Sequence, residues 1–92
     1  KGGLEALTRS LAVELAPKLR CNAIAPGYFA TDANAAYLHN EEVKQFVENR
    51  IPLKRWGQPE EVAGAAVFLA SNASSYITGH TLVIDAGLTI LF

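Results

Sequence analysis

Long apolar runs, cysteine pairs and clustered basic residues are all missing from this sequence, and each absence removes a class of function. No run approaches the roughly 20 apolar residues that a membrane-spanning helix needs, so no membrane partner is expected. The opening KGGLEALTRS has no signal-peptide pattern. The lone cysteine, Cys21, cannot build an internal disulfide framework, which points to a reducing, cytoplasmic setting. Net charge is −1 and the Lys and Arg residues form no basic stripe, so no nucleic-acid partner is expected. His39 and His80 have no second ligand at metal spacing, so no metal site is expected either.

Charge itself is scarce. Only 18% of the residues are charged while 50% are hydrophobic, in a chain of 92 residues that has room for one small domain. Small domains have much surface per volume and need a polar skin. The apolar excess therefore predicts faces that pack against something outside this sequence.

What is present is patterned. Residues 3–16 repeat Leu4, Leu7, Leu11 and Leu15 at helical spacing, with Ala6, Ser10 and Val13 as a line of small residues on another face. Two packing faces on one helix imply burial on both sides, and Pro17 marks its end. Residues 19–25 are a short apolar run bounded by prolines, which favours a buried strand with Cys21 as a small core residue. Pro26-Gly27 signals a turn, and GYFATD after it reads as a loop.

A second helix is expected over 41–50, with Asn40 as N-cap, Glu41 and Glu42 at the positive end, and Val43, Phe46 and Val47 inward. Pro52 stops it. A third starts at Pro59, and its body, 62–70, is apolar nearly all round, which predicts burial on most sides. Residues 81–85 read as a strand, with Asp85 serving the turn that follows. The order helix, strand, helix, helix, strand is a crossover unit of parallel strands, and so of the α/β class. Two strands do not make a stable sheet alone, so the chain describes the edge of a larger one.

Four stretches, in order, resemble one family, the short-chain dehydrogenases/reductases. KGGLEALTRSLAVELAP resembles the helix that carries the second half of its Tyr-x-x-x-Lys motif, and NAIAPGYFATD the segment after its sixth strand. RWGQPEEVAGAAVFLAS and ASSYITGHTLVIDAG resemble its last helix and seventh strand. The resemblance implies that residues 1–92 are the C-terminal part of a single NAD(P)-binding domain, the edge of a doubly wound parallel Rossmann-type sheet.

It also implies chemistry. In the family a tyrosine is the general acid/base toward a small-molecule substrate, while the nicotinamide of NAD or NADP carries the hydride. A lysine four residues later contacts the nicotinamide ribose and lowers the tyrosine pKa. Lys1 matches that lysine; the tyrosine would lie four positions before it, outside this sequence, as would the glycine-rich loop and the catalytic serine. The 92 residues by themselves are therefore expected to be inactive.

Pro26, Gly27, Phe29 and Thr31 match the loop that lies against the nicotinamide. There the backbone at Phe29 would meet the carboxamide, and the Thr31 hydroxyl the carboxamide or a phosphate; Thr31 also suits the start of a helix. Residues 32–56 correspond to the mobile substrate lid, in which Tyr37 and Trp56, with Tyr28 beside it, are either lid core or substrate contacts.

Two departures stand out. APKLRCN is one residue shorter than usual between helix and strand, and Ala86 sits where many relatives have a second glycine. Within the family, GYFATD followed by RIPLKRWGQPEEVAGAAVFLAS looks closest to gluconate 5-dehydrogenase-like members, which act on sugar acids. The 3-oxoacyl-acyl-carrier-protein reductases share much of the pattern. A reading from another class is a non-catalytic oligomerisation module. The family assembles into tetramers through its first helix and through its last helix and strand, and Ala6, Ser10, Val13 and residues 62–70 suit such contacts.

Overall fold

Small residues, not the leucines, decide how the first helix packs. In the computed structural model, which describes residues 2–91, helix α1 spans Gly2–Leu15, and its buried residues are Thr8 and Ala12, 4% and 3% exposed. The Thr8 hydroxyl donates to the Leu4 carbonyl at 2.8 Å, so this buried polar group needs no outside partner. Gly79 passes close to Ala12: a Cβ placed on Gly79 would lie 3.4 Å from the Ala12 Cβ. The expected leucine stripe is only partly covered, with Leu4 and Leu7 about half exposed, and on the small-residue face Val13 is 81% exposed.

The short connection after α1 is made by a turn over residues 16–18 that contains a cis Ala16–Pro17 peptide, with the Leu19 N–H donating to the Leu15 carbonyl at 3.1 Å. Strand β1 then runs Ala23–Pro26, later than the 19–25 expected. Residues 20–22 are extended but spend their polar groups on the loop before the second strand. Cys21 N–H donates to the Thr78 hydroxyl (3.0 Å) and its carbonyl accepts from Gly79 N–H (2.7 Å). Asn22 both donates to the Ile77 carbonyl (3.1 Å) and accepts from His80 N–H (3.0 Å). Arg20 donates to the carbonyls of Leu69 (2.9 Å) and Ile77 (3.0 Å).

Helix α2 spans Glu41–Arg50 as expected, and the Asn40 side chain caps it by accepting from Val43 N–H at 3.1 Å. Its buried residue is Val47, and Lys54 donates its ammonium to the Glu48 carbonyl in the last turn, where a cation suits the dipole. Helix α3 spans Pro59–Ala70, and none of its residues is buried; Val67 and Phe68 are exposed where burial on most sides was expected. Strand β2, Thr81–Ile84, pairs with β1 in a two-stranded parallel sheet, through bonds such as Ala23 N–H to the His80 carbonyl at 2.9 Å. Short 3-10 helices over Asp32–His39, Asn72–Ser74 and Leu88–Ile90 fill stretches that the sequence pattern left as loop.

The chain divides into two compact units, one from the start to Ala25 with Gly64–Val83, the other Pro26–Ala63 with the chain from Ile84 on. The first holds α1 and its Thr8/Ala12 line. The second has a small core of Phe29, Val47 and Ile51. Among the described residues no helix is long and apolar enough to cross a membrane.

After β2, Asp85 holds the turn through both carboxylate oxygens, accepting from the N–H groups of Gly87 and Thr89 at 3.0 Å each. Within that turn Ala86 has φ +57° and Gly87 φ +91°. A left-handed conformation costs an L-residue about 1–2 kcal/mol, offset in part by the lower chain entropy of alanine when unfolded. The Ala86→Gly variant should therefore be more stable by about 1 kcal/mol, read as a higher melting temperature of the full-length protein; an unchanged or lower one contradicts it.

Candidate functional site

Proline has no N–H to offer a ladder, so β1 ends at Pro26, and the next donor, Gly27 N–H, closes the pairing on the Ile84 carbonyl at 2.9 Å. A Cβ on Gly27 would lie 2.7 Å from the Asp85 Cβ and 2.9 Å from its Cα, so only glycine fits. Within the chain, the close approach that this glycine permits is to Asp85.

From there the chain enters an aromatic cluster. The Tyr28 ring stacks on Phe46 at 5.3 Å and 26° and packs tilted on Trp56 at 5.4 Å. Tyr28, 38% exposed, thus packs against both Phe46 and Trp56, and Tyr28 and Trp56 also face open space. A cavity of about 330 Å³ is lined by Gly27, Tyr28, Asn34, Tyr37, Val43 and Trp56, none of them charged at neutral pH.

Phe29 is the fixed point. Its neighbours bracket Gly57 in a parallel bridge: Ala30 N–H donates to the Gly57 carbonyl (2.9 Å), and Gly57 N–H to the Tyr28 carbonyl (2.8 Å). The Phe29 ring, 7% exposed, lies directly on Gly57, where a Cβ would come within 2.5 Å of it. The Phe29 carbonyl accepts twice, from Thr31 N–H (3.0 Å) and from the Asn34 side-chain amide (2.8 Å). Its N–H has no acceptor among the described residues. Thr31 precedes the 3-10 helix Asp32–His39, but its side chain makes no capping bond, so the hydroxyl is not spent there.

Arg55 and Glu61 flank the bridge on the other side. They form a two-armed ion pair, with both N···O distances 2.9 Å, and Glu61 also accepts from the Gln58 N–H at 2.8 Å, as an N3 glutamate does when it caps a helix start. The Arg55 hydrogen bond and the Gln58 N–H together hold the Glu61 carboxyl down to about 2. This pair fixes the start of α3 next to Trp56, whose carbonyl accepts from Arg55 at 3.1 Å.

The expected residues Pro26, Gly27, Phe29 and Thr31 therefore share one loop, held from outside by Gly57 and Asn34. Lys1, the other expected site residue, lies outside the described residues. Sequence reasoning missed Gly57, Asn34 and the Arg55–Glu61 pair. The last had a signal, an acidic residue two after Pro59; Gly57 had none, because its partners are backbone groups distant in sequence, and Asn34 bonds to a backbone carbonyl five residues back, which no residue type marks.

Two tests follow from this geometry. The Gly57→Ala variant must displace the Phe29 ring and should lose about 1–3 kcal/mol of stability in denaturant titration of the full-length protein, the cost of overpacking; a neutral effect contradicts the contact. Glu61 has its folded-state pKa below the unfolded value of 4.5, so its contribution is complete above pH 4.5 and is lost as pH falls toward about 2. Both partners are about half exposed, so the effect is small. The amide-exchange difference between wild type and Glu61→Gln at the first turn of α3 should shrink across that window, and a constant difference would disprove it.

Comparison with known proteins gives a consistent set. The family model described as enoyl-(acyl carrier protein) reductase matches residues 1–89. The 5-keto-D-gluconate 5-reductase of Escherichia coli K12 is 44% identical over 91 residues, covering 98% of this chain and 36% of its own length. Glucose 1-dehydrogenase 2 of Bacillus subtilis is 47% identical over 91 residues, covering 98% of this chain and 35% of its own. A crystal structure of a gluconate 5-dehydrogenase from Burkholderia cenocepacia, in complex with NADP and tartrate, superposes with TM-score 0.89 at 41% identity, over 98% of this chain and 36% of that one. The chain thus spans about a third of the length of the proteins it matches.

Proposed function

We infer function from one premise: the chain belongs to the short-chain dehydrogenase/reductase family. The full-length protein is then an NAD(P)-dependent oxidoreductase that interconverts a secondary alcohol and a ketone, with a sugar acid such as gluconate as substrate. The single observation that carries this reading is the Phe29 backbone. It has a fixed carbonyl and an unclaimed N–H, on a loop whose hydroxyl, that of Thr31, is not used in capping. An amide donor next to a free hydroxyl is the donor set that a nicotinamide carboxamide and its neighbouring phosphate would need, so the residues present fit the cofactor.

When bound, the nicotinamide supplies or accepts the hydride. This chain's part is to bind and orient. Phe29 N–H holds the carboxamide, Thr31 adds a second polar contact, and Pro26-Gly27 sets where the loop leaves the sheet. Lys1, by family resemblance, contacts the ribose and lowers the pKa of a tyrosine four positions before it. Residues 32–56 act as the substrate lid, whose aromatic cavity excludes water from the reacting carbon. The relatives reduce or oxidise sugars and sugar acids by name, which supports that substrate class over 3-oxoacyl thioesters.

The bare faces support a second role for the same chain. Leu4, Leu7 and Val13 on α1, and Val67 and Phe68 on α3, are large apolar side chains left exposed. They suit burial against the rest of the protein and in a homotetramer, in a cytoplasmic enzyme.

The test is a spectrophotometric assay of the full-length protein with NAD and NADP. Gluconate and its relatives should be oxidised, and 5-ketogluconate reduced, far faster than a 3-oxoacyl thioester. The reverse order would overturn the substrate class, and no turnover of any alcohol with either cofactor would overturn the enzyme reading.

A further inference from the structure

The cavity beside Tyr28 and the Phe29 peptide are joined by one side chain, Asn34. It sits in the 3-10 helix Asp32–His39, is half-buried, and lines the aromatic cavity. Its amide donates to the Phe29 carbonyl at 2.8 Å, and its own backbone N–H donates to the Thr31 carbonyl at 3.0 Å. The orientation of the amide is chemically forced: a carbonyl only accepts, so the nitrogen faces Phe29 and Oδ1 is the other arm. That oxygen accepts no hydrogen bond from the chain among the described residues. It is one of the few polar atoms that the cavity walls offer, the others being backbone atoms, two tyrosine hydroxyls and the Trp56 ring N–H.

We propose that Asn34 is a positioning residue: its Nδ2–H fixes the Phe29–Ala30 peptide and so helps hold the Phe29 backbone with its N–H presented to the cofactor, while its Oδ1 accepts from a hydroxyl of the substrate in the cavity. The first half follows from geometry. With two donors on its carbonyl, the Phe29–Ala30 peptide cannot rotate without breaking both bonds; the Phe29 N–H lies in the preceding peptide, whose Tyr28 carbonyl accepts from Gly57 N–H at 2.8 Å, so Asn34 acts on it by holding the Phe29 backbone torsions between two fixed peptides. The second half follows from chemistry. The cavity has aromatic walls, a carboxamide oxygen and no charged side chain, which suits the uncharged, hydroxyl-bearing part of a carbohydrate. A hydroxyl on Oδ1 would polarise the amide and strengthen its bond to Phe29, so a filled cavity would tighten the cofactor loop.

This inference rests on the reading of the Phe29 loop as the nicotinamide side of a dehydrogenase site, and the experiment separates the two. Asn34→Asp in the full-length protein keeps the shape and an acceptor but removes the donor; Asn34→Ala removes both. Without cofactor, amide exchange at Ala30 and Thr31 should accelerate in both variants, since the Phe29 peptide loses its clamp. Unchanged exchange would overturn the positioning role whether or not the protein binds a dinucleotide. With cofactor, both variants should bind NADH or NADPH, measured by fluorescence, about threefold to tenfold more weakly, the range expected for one lost hydrogen bond.

Substrate kinetics then separate the arms. Asn34→Asp should lower kcat with KM changed less than about twofold, whereas Asn34→Ala should also raise KM by about threefold to tenfold. Equal KM effects in the two variants would overturn the Oδ1 contact. If wild type binds neither dinucleotide, the dehydrogenase reading fails on its own account, and the exchange data still decide whether Asn34 clamps Phe29.

Discussion

Two backbone hydrogen bonds, between Gly57 and the residues on either side of Phe29, set the course of the loop that leaves β1. They turn a stretch that reads as unstructured into something close to a third strand, one residue long. Everything around the site uses that anchor. The Phe29 ring fills the space a side chain at position 57 would need, Tyr28 is thrown to the other side onto Phe46 and Trp56, and the Phe29 carbonyl is left for Thr31 and Asn34. The Arg55–Glu61 pair in turn fixes the approach to Gly57 from the helix side, by tying residue 55 to the first turn of α3.

How much of this was legible depended on whether the forces were local. Helix α2 was readable to the residue, because an asparagine cap, acidic first turn and proline stop are all written within a dozen positions. Helix α3 was readable from Pro59 for the same reason. Strand β1 was placed too far toward the N-terminus, because the run between the prolines was taken whole, whereas Arg20 and Asn22 bond through their side chains to residues some 50 to 60 positions away. No periodicity encodes such a bond. The 3-10 helices were missed because a helix of that kind carries no amphipathic signature of its own.

Burial was the least legible quantity, and for an instructive reason. The leucine pattern of α1 is a true statement about which face wants cover, but the chain covers the Thr8 and Ala12 line instead. Hydrophobic period reports demand, while burial within a given chain reports supply. The same mismatch recurs in α3, apolar on nearly every face and buried on none. Of the site, the loop was found from its resemblance to a family, while its supports came only from the folded arrangement: Gly57 is distant from its partners in sequence, and Asn34 meets a backbone carbonyl, which leaves no mark on residue type.

The neutrality of the cavity beside Tyr28 has a consequence for how it can discriminate among occupants. Its lining of aromatic rings, an amide, a valine and a glycine offers no long-range field. Screening by salt acts on charge–charge attraction. Selection within those walls should therefore be indifferent to ionic strength and turn on contour and on how many hydroxyls find a partner. A carboxylate on the same molecule would have to be recognised outside them, so that two parts of one ligand would answer to different physics.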